Sequence, residues 1–315
     1  MIEPTVNEQK TGGFKPRSDL PFYTIFISIS AIYVFLIVAM LSAETTYTTP
    51  DHIWNAFSKP EIRYAIWLSL VSCAITTVLS LWVSVPIGYL MSRHEFPGKT
   101  LIDAILDIPI VLPPLVIGLC LLILFQVEVP QIEWLNRMVA EKSGVEYVPA
   151  TLVSQTQSVD DVIRKVTKVT FGKSIGVTYE IPSVILAQFM VACAFAVRTM
   201  RVTFDQIGPR YEQVALTLGC NRGQAFWRVV FPQAYRGLLA AGTLAWARSL
   251  GEFGPILVFS GATRMKTEVL PTTVFLELTV GNIEGAVAAS LIMVVSALIV
   301  LVIARMFGLT RGAAI

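Results

Sequence analysis

Residues 22–41 pass without a single charged side chain, and five further apolar runs follow at 66–91, 108–127, 181–197, 237–262 and 285–303. A helix crosses the ~30 Å hydrocarbon layer with about 20 apolar residues, so these runs have the length of membrane crossings. Lipid offers no water to backbone polar groups, and a helix satisfies them internally. The pattern predicts an all-α membrane protein with six transmembrane helices. Composition agrees, with 54% hydrophobic and 15% charged residues and a mean hydropathy of +0.66, against roughly 25% charge in soluble domains. A net charge of +2 gives no footprint for nucleic acid. The first run is too long for a signal-peptide core and lacks a following Ala-x-Ala site, so it reads as a retained helix. Cys73, Cys120 and Cys193 lie inside apolar runs and Cys220 in a polar stretch. Disulfides are not expected to hold such a fold.

Six crossings put both termini on one side, and the positive-inside rule selects it. Arg198, Arg201, Arg210, Arg222, Arg228 and Arg236 share a face with the N-terminus. On the other face Glu128, Glu133, Glu141, Glu146, Asp160 and Asp161 accompany the cations. The expected organisation is a cytoplasmic tail at 1–21, a transmembrane domain at 22–307 and a cytoplasmic tail at 308–315. An external insertion at 128–180 lies between helices 3 and 4, and a cytoplasmic loop occupies 205–232. The insertion has a Ser/Thr/Gln patch at 154–158, then Val162, Ile163, Val166 and Val169. Its β-branched content predicts short strands or a small subdomain. It reads either as a tolerated insertion or as a contact surface for an external binding protein.

The loop at 205–232 has its own local code. Pro209 suits the first turn of a helix. Tyr211, Val214, Ala215 and Leu218 recur on one helical face. Gly219 suits a left-handed helix end. Asn221 with Gln224 forms a capping box for a second helix, whose apolar side is Phe226, Trp227 and Val230 and whose stop is Pro232. The result is a bent projection with apolar knobs and an Arg222/Arg228 fringe. It either docks in a groove of another protein or lies on the lipid surface.

Catalytic signals are missing. Gly98-Lys99-Thr100 and Gly172-Lys173-Ser174 imitate the end of a phosphate-binding loop, but Arg93 and Thr167 stand where its first Gly is required. His52 and His94 sit near opposite membrane surfaces, and no zinc-spaced Cys/His cluster occurs. The chain reads as a non-enzyme without a metal site. Arg248 and Glu252, four apart in the fifth run, share a helix face and belong in the bundle interior. Gly251, Gly254 and Pro255 weaken that helix, and Pro109, Pro113 and Pro114 interrupt the third run. Broken helices at membrane depth border cavities, so Arg248, Glu252, Gly251, Gly254, Pro113 and Pro114 are candidate pathway or gate residues. The open alternatives are a packing ion pair for Arg248–Glu252 and a simple bend for the prolines.

The spacing of Glu212, Ala215, Gly219, Phe226 and Pro232 resembles the EAA loop of permease subunits of ATP-binding cassette (ABC) importers. Gln213 and Val214 occupy places where that family usually has Ala-Ala. Residues 83–90, 96–99, 107–114 and 247–254 are similar to molybdate, tungstate and sulfate importer permeases, although Pro255 and Ile256 follow where Ala-Thr is usual. The similarity runs from about 66 to 307, outside most of the insertion. The resemblance implies the type I importer-permease fold. It implies an ATPase-coupling loop carried by Tyr211, Glu212, Ala215, Leu218, Gly219, Arg222, Phe226, Trp227 and Pro232. It implies a second permease copy or paralogue, a cassette ATPase that uses ATP and Mg, and an external substrate-binding protein. The chain itself is expected to bind no cofactor. Its surroundings would be membrane lipid, in a bacterial or archaeal plasma (inner) membrane. The implied cargo is an oxyanion: molybdate, tungstate or sulfate. Competing readings are the same machine with ferric iron, thiamine or polyamine, a stand-alone secondary carrier, and a membrane enzyme.

Overall fold

A computed structural model describes residues 20–46, 49–130, 132–133, 136–138, 141 and 156–310. The expected tails, except residues 20–21 and 308–310, and Glu146, Ser154 and Gln155 lie outside the described residues. The chain divides into a unit ending at Tyr47 and a unit beginning at Thr48. Among the described residues the first unit is helix α1, Leu20–Thr46. It exposes large apolar side chains on every face, from Phe22 to Met40, as a membrane span does. Its Ser42 and Thr45 hydroxyls donate back to the carbonyls of Val38 and Ser42, at 2.7 and 2.8 Å, so neither needs water.

The second unit opens with α2, Pro50–Ser58, and α3, Pro60–Arg93. The spine of this unit is α3 against α7, Ile181–Gln206. The buried stripe of α3 is Ser69, Ser72, Cys73, Thr76, Ser80, Ser84 and Gly88, recurring every three or four residues. Such small residues let two membrane helices approach closely. A Cβ on Gly88 would lie 2.9 Å from the backbone nitrogen of Arg201 and from Cβ of Met200. One polar pair bridges the seam, the Thr76 hydroxyl lying 3.2 Å from Oε1 of Gln188.

Next come α4, Lys99–Val111, and α5, Pro114–Gln126, which meet at 111°. This corrects the third predicted crossing at 108–127, whose first residues belong to α4. The physical reason is the Leu112-Pro113-Pro114 step. Leu112 precedes a proline and is extended (ψ 139°), and neither proline donates to a helical ladder. The run predicted as a single crossing at 237–262 is likewise divided, into α10, Tyr235–Leu250, and α11, Gly254–Phe259. Four described helices are long and apolar enough to cross a membrane, or five if α4 and α5 form one span.

The insertion carries a short antiparallel ribbon, β1 (Glu128–Pro130) with β2 (Thr156–Ser158), in the register Glu128↔Ser158. The β-branched run after it is not strand but helix α6, Val159–Phe171. Val162, Ile163, Val166 and Val169 are spaced for a helix face. A Ser158–Asp161 capping box starts the helix and Gly172, at φ +71°, ends it. These local signals outweigh the propensity of the side chains. Between α7 and α10 the chain forms α8, Pro209–Thr217, and α9, Arg222–Ala225. The last helices are α12, Leu270–Thr279, and α13, Ile283–Thr310. The main apolar core joins Leu68 of α3, Ile117 and Leu121 of α5, Val184 and Val191 of α7, and Ile256 and Phe259 of α11.

Candidate functional site

The loop between α7 and α10 folds as two short helices at a right-sized joint. Pro209 opens α8. Gly219 closes it at φ +91°, a conformation that costs a non-glycine residue strain, and the Cys220 N–H donates to the Ala215 carbonyl at 3.1 Å. Asn221 and Gln224 exchange capping hydrogen bonds of 2.8 and 3.0 Å at the start of α9. The predicted apolar face, however, is divided. Tyr211, Val214 and Leu218 point outward, Leu218 being 80% exposed, whereas Ala215 is buried at 6%. On the second helix Trp227 is exposed, but Val230 is buried and Phe226 turns inward against Tyr89, ring centroids 4.8 Å apart. Arg222 and Arg228 are exposed, as expected of a fringe.

Pro232 does not stop the second helix, contrary to expectation. Phe226–Val230 is a π-helix, with the Phe231 N–H bonded to the Phe226 carbonyl five residues back. The wider turn takes up the register where Pro232 has no N–H to offer. The chain then continues through Phe231–Gln233 into α10.

Glu212 ties this loop to the bundle. Its Oε1 accepts from the Tyr89 hydroxyl at 2.6 Å, and its Oε2 lies 3.5 Å from Nε of Arg93. Arg93 also donates from Nη2 to the Ile207 carbonyl at 2.8 Å. The end of α3 thus holds the first turn of α8 through the Glu212 carboxylate, and Arg93 links the same contact to the end of α7. Sequence reading missed Tyr89 and Arg93. They lie 123 and 119 positions from Glu212 (212 − 89 and 212 − 93), and no periodicity connects residues so far apart. A cavity of about 520 Å³ opens beside this contact, with Arg93, His94, Glu212, Arg222 and Phe226 in its wall.

The two broken segments also come together. A Cβ on Gly118 of α5 would sit 2.8 Å from Cα of Pro255, and one on Gly254 would sit 3.1 Å from the backbone nitrogen of Leu115 and 3.3 Å from Cβ of Pro114. The Pro113-Pro114 break therefore packs on the Gly251–Pro255 break, backbone against backbone. Gly118 was not singled out in the sequence, because its role depends on what faces it. Gly251 is exposed, and a Cβ there would meet nothing nearer than the Ala247 and Arg248 carbonyl oxygens at 3.9 Å. Immediately before it, Arg248 Nη1 approaches Glu252 Oε1 at 2.8 Å, an ionic contact rather than a well-aligned hydrogen bond. The pair is asymmetric: the Glu252 side chain is 1% exposed and that of Arg248 is 32% exposed. Arg248 lies over the Phe195 ring at 5.6 Å and presents its free side to the surface of the chain. On the same helix as Phe195, Arg198 faces Asp107 of α4 at 4.0 Å and Arg201 pairs with Asp103.

At the opposite end, Asp160 anchors α6. Its Oδ1 accepts from the Val177 and Thr178 amides at 2.6 and 3.0 Å, and its Oδ2 pairs with Arg164 Nε at 2.7 Å. Burial pushes this carboxyl up, but hydrogen bonds from Thr178, Arg164 and Val177 outweigh it and hold it below the usual range. Arg164 in turn reaches Glu180 at 3.6 Å.

The second unit combines apolar spans, paired broken helices and a two-helix loop, the parts expected of a transport permease. Residues 84–309 match the family described as binding-protein-dependent transport system inner membrane component, and the chain belongs to that family. It is a multi-pass membrane protein and a permease subunit of the ABC importer class. It is 28% identical over 289 residues to the sulfate transport system permease protein CysT of Escherichia coli K12, covering 90% of this chain and 92% of that one. It is 29% identical over 285 residues to the molybdenum transport system permease protein ModB of Mycobacterium bovis, covering 90% and 94%. Among solved structures it is similar to a bacterial alginate ABC transporter in complex with its periplasmic protein, at TM-score 0.64 over 93% of this chain and 95% of that one. The methionine transporter MetNI is similar at TM-score 0.53, over 83% and 98%. At 17% and 14% identity these two likenesses speak for the fold alone.

Proposed function

We propose that this permease forms half of a transmembrane pathway for a tetrahedral oxyanion, sulfate or molybdate first and tungstate with them. In this reading the chain crosses the membrane six times and the two-helix loop lies in the cytoplasm, where a separate cassette ATPase grips it. A second permease copy or paralogue completes the pathway, and an external binding protein delivers the anion. The observation that carries this reading is the loop itself: an exposed Tyr211–Val214–Leu218 face standing on a carboxylate fastened to α3, whose Arg93 also holds the end of α7. A force applied to that face enters the bundle through its most closely packed helix pair. The cargo assignment draws on the sulfate and molybdenum permeases among its relatives, together with an Arg248 guanidinium left partly free at the broken helix. A guanidinium held at membrane depth favours an anion on its exposed side.

The test is ATP-driven uptake of labelled sulfate and molybdate by the complete transporter in liposomes. The expected result is uptake of one or both, reduced at least tenfold by Arg248→Ala with the assembly intact. Uptake of neither, with uptake of ferric iron, thiamine or a polyamine instead, overturns the cargo. Unchanged uptake by Arg248→Ala removes Arg248 from the path.

A further inference from the structure

We infer that the crevice between α10 and α13 is a binding site for one anionic phospholipid of the leaflet on the two-helix-loop side. The crevice encloses about 440 Å³ and is walled by Leu239, Leu244 and Ala247 of α10 and Leu301 of α13. Arg236 and Arg305 stand at one end of it. Arg236 is the second residue of α10, directly after the loop, and Arg305 is near the end of α13. Both are exposed, and among the described residues neither forms an ion pair. Arg93, Arg201 and Arg248, by contrast, each have a carboxylate.

Length identifies the occupant. From Arg236 to Ala247 is 11 residues (247 − 236), or about 16 Å of helix. That matches about half of the ~30 Å hydrocarbon layer, one leaflet deep. An acyl chain laid along Leu239, Leu244 and Leu301 therefore brings its phosphate level with the two guanidiniums. Arginine suits this place because its planar fork binds phosphate oxygens in pairs. Basic pockets between membrane helices select anionic headgroups in this way. A zwitterionic lipid fills the same apolar length but brings a compensating cation to the arginines.

Native mass spectrometry of the full-length chain, titrated with phosphatidylglycerol and with phosphatidylcholine of the same acyl chains, tests this. The wild-type chain should retain phosphatidylglycerol preferentially. Arg236→Gln with Arg305→Gln should lower that retention roughly tenfold or more and leave phosphatidylcholine unaffected. Leu244→Trp, which fills the crevice and keeps both arginines, should weaken both lipids. Equal retention of the two lipids by the wild type, or an undiminished preference in the double variant, overturns the site. Labelled sulfate held by lipid-free protein and lost in the double variant overturns it too, assigning the arginines to a soluble oxyanion. None of these results depends on which cargo the transporter carries.

Discussion

Gly118 and Gly251 show how differently two glycines on neighbouring breaks are used. Gly118 exists because Pro255 passes 2.8 Å from where its Cβ would stand. Gly118→Val should therefore overpack the crossing and cost roughly 1–3 kcal/mol, read as a lowered thermal midpoint of the purified protein. Gly251→Ala meets nothing nearer than 3.9 Å and should leave that midpoint close to wild type; a reversed order would contradict the packing described. Glu212 supports a second residue-scale prediction. Tyr89→Phe and Arg93→Gln each remove one support from its carboxylate, at a cost of about 1–2 kcal/mol. Hydrogen exchange of the α8 amides should quicken in both variants and stay unchanged in Leu218→Ala, whose side chain touches solvent. This carboxylate was legible in the sequence as a motif position, but its supports were not, since they arrive from distant parts of the chain.

Among the elements, those built by local chemistry were the readable ones. Pro209, Gly219 and the Asn221–Gln224 box each act within a turn or two, and the structure has each where the sequence put it. α6 carried equally local signals, yet its valines and isoleucine suggested strand; the capping box and the spacing decided for helix. The π-turn at Phe226–Val230 had no clear signature, and the prolines at 113 and 114 marked a break without giving its 111° angle. A proline marks where a ladder loses a donor, but neighbouring packing decides whether the helix stops, widens or turns. The anchoring of α6 gives a pH prediction. The Asp160 carboxyl is held below its ordinary value, so its contribution is complete above about pH 4. It is lost only as the pH falls through the lowered value. The amides of Val177 and Thr178, which donate to Asp160, should stay protected between about pH 8 and pH 5. Asp160→Ala should expose them throughout that range, and equal protection in the variant would count against the anchor.

For the molecule as a whole, apolar run lengths established the membrane class, and motif spacing pointed to the family. What composition could not supply was the pairing of the breaks, because Gly254 against Pro114 and Pro255 against Gly118 is a fact of three-dimensional packing. These parts fit together as one device. In the proposed function the loop would receive motion, α3 and α7 would carry it, and the paired breaks would be where helices change angle. Its central claim is that the outward face of α8 is the grip for a separate motor. Leu218, 80% exposed at the tip, is the residue to test, since Leu218→Asp adds a charge to the grip while touching no packing. The measurement is capture of the transporter's own cassette ATPase by the full-length permease in detergent, wild type beside Leu218→Asp. The account predicts capture by the wild type and at least a tenfold loss in the variant, with the variant still folded and inserted. Equal capture by the two chains would contradict it.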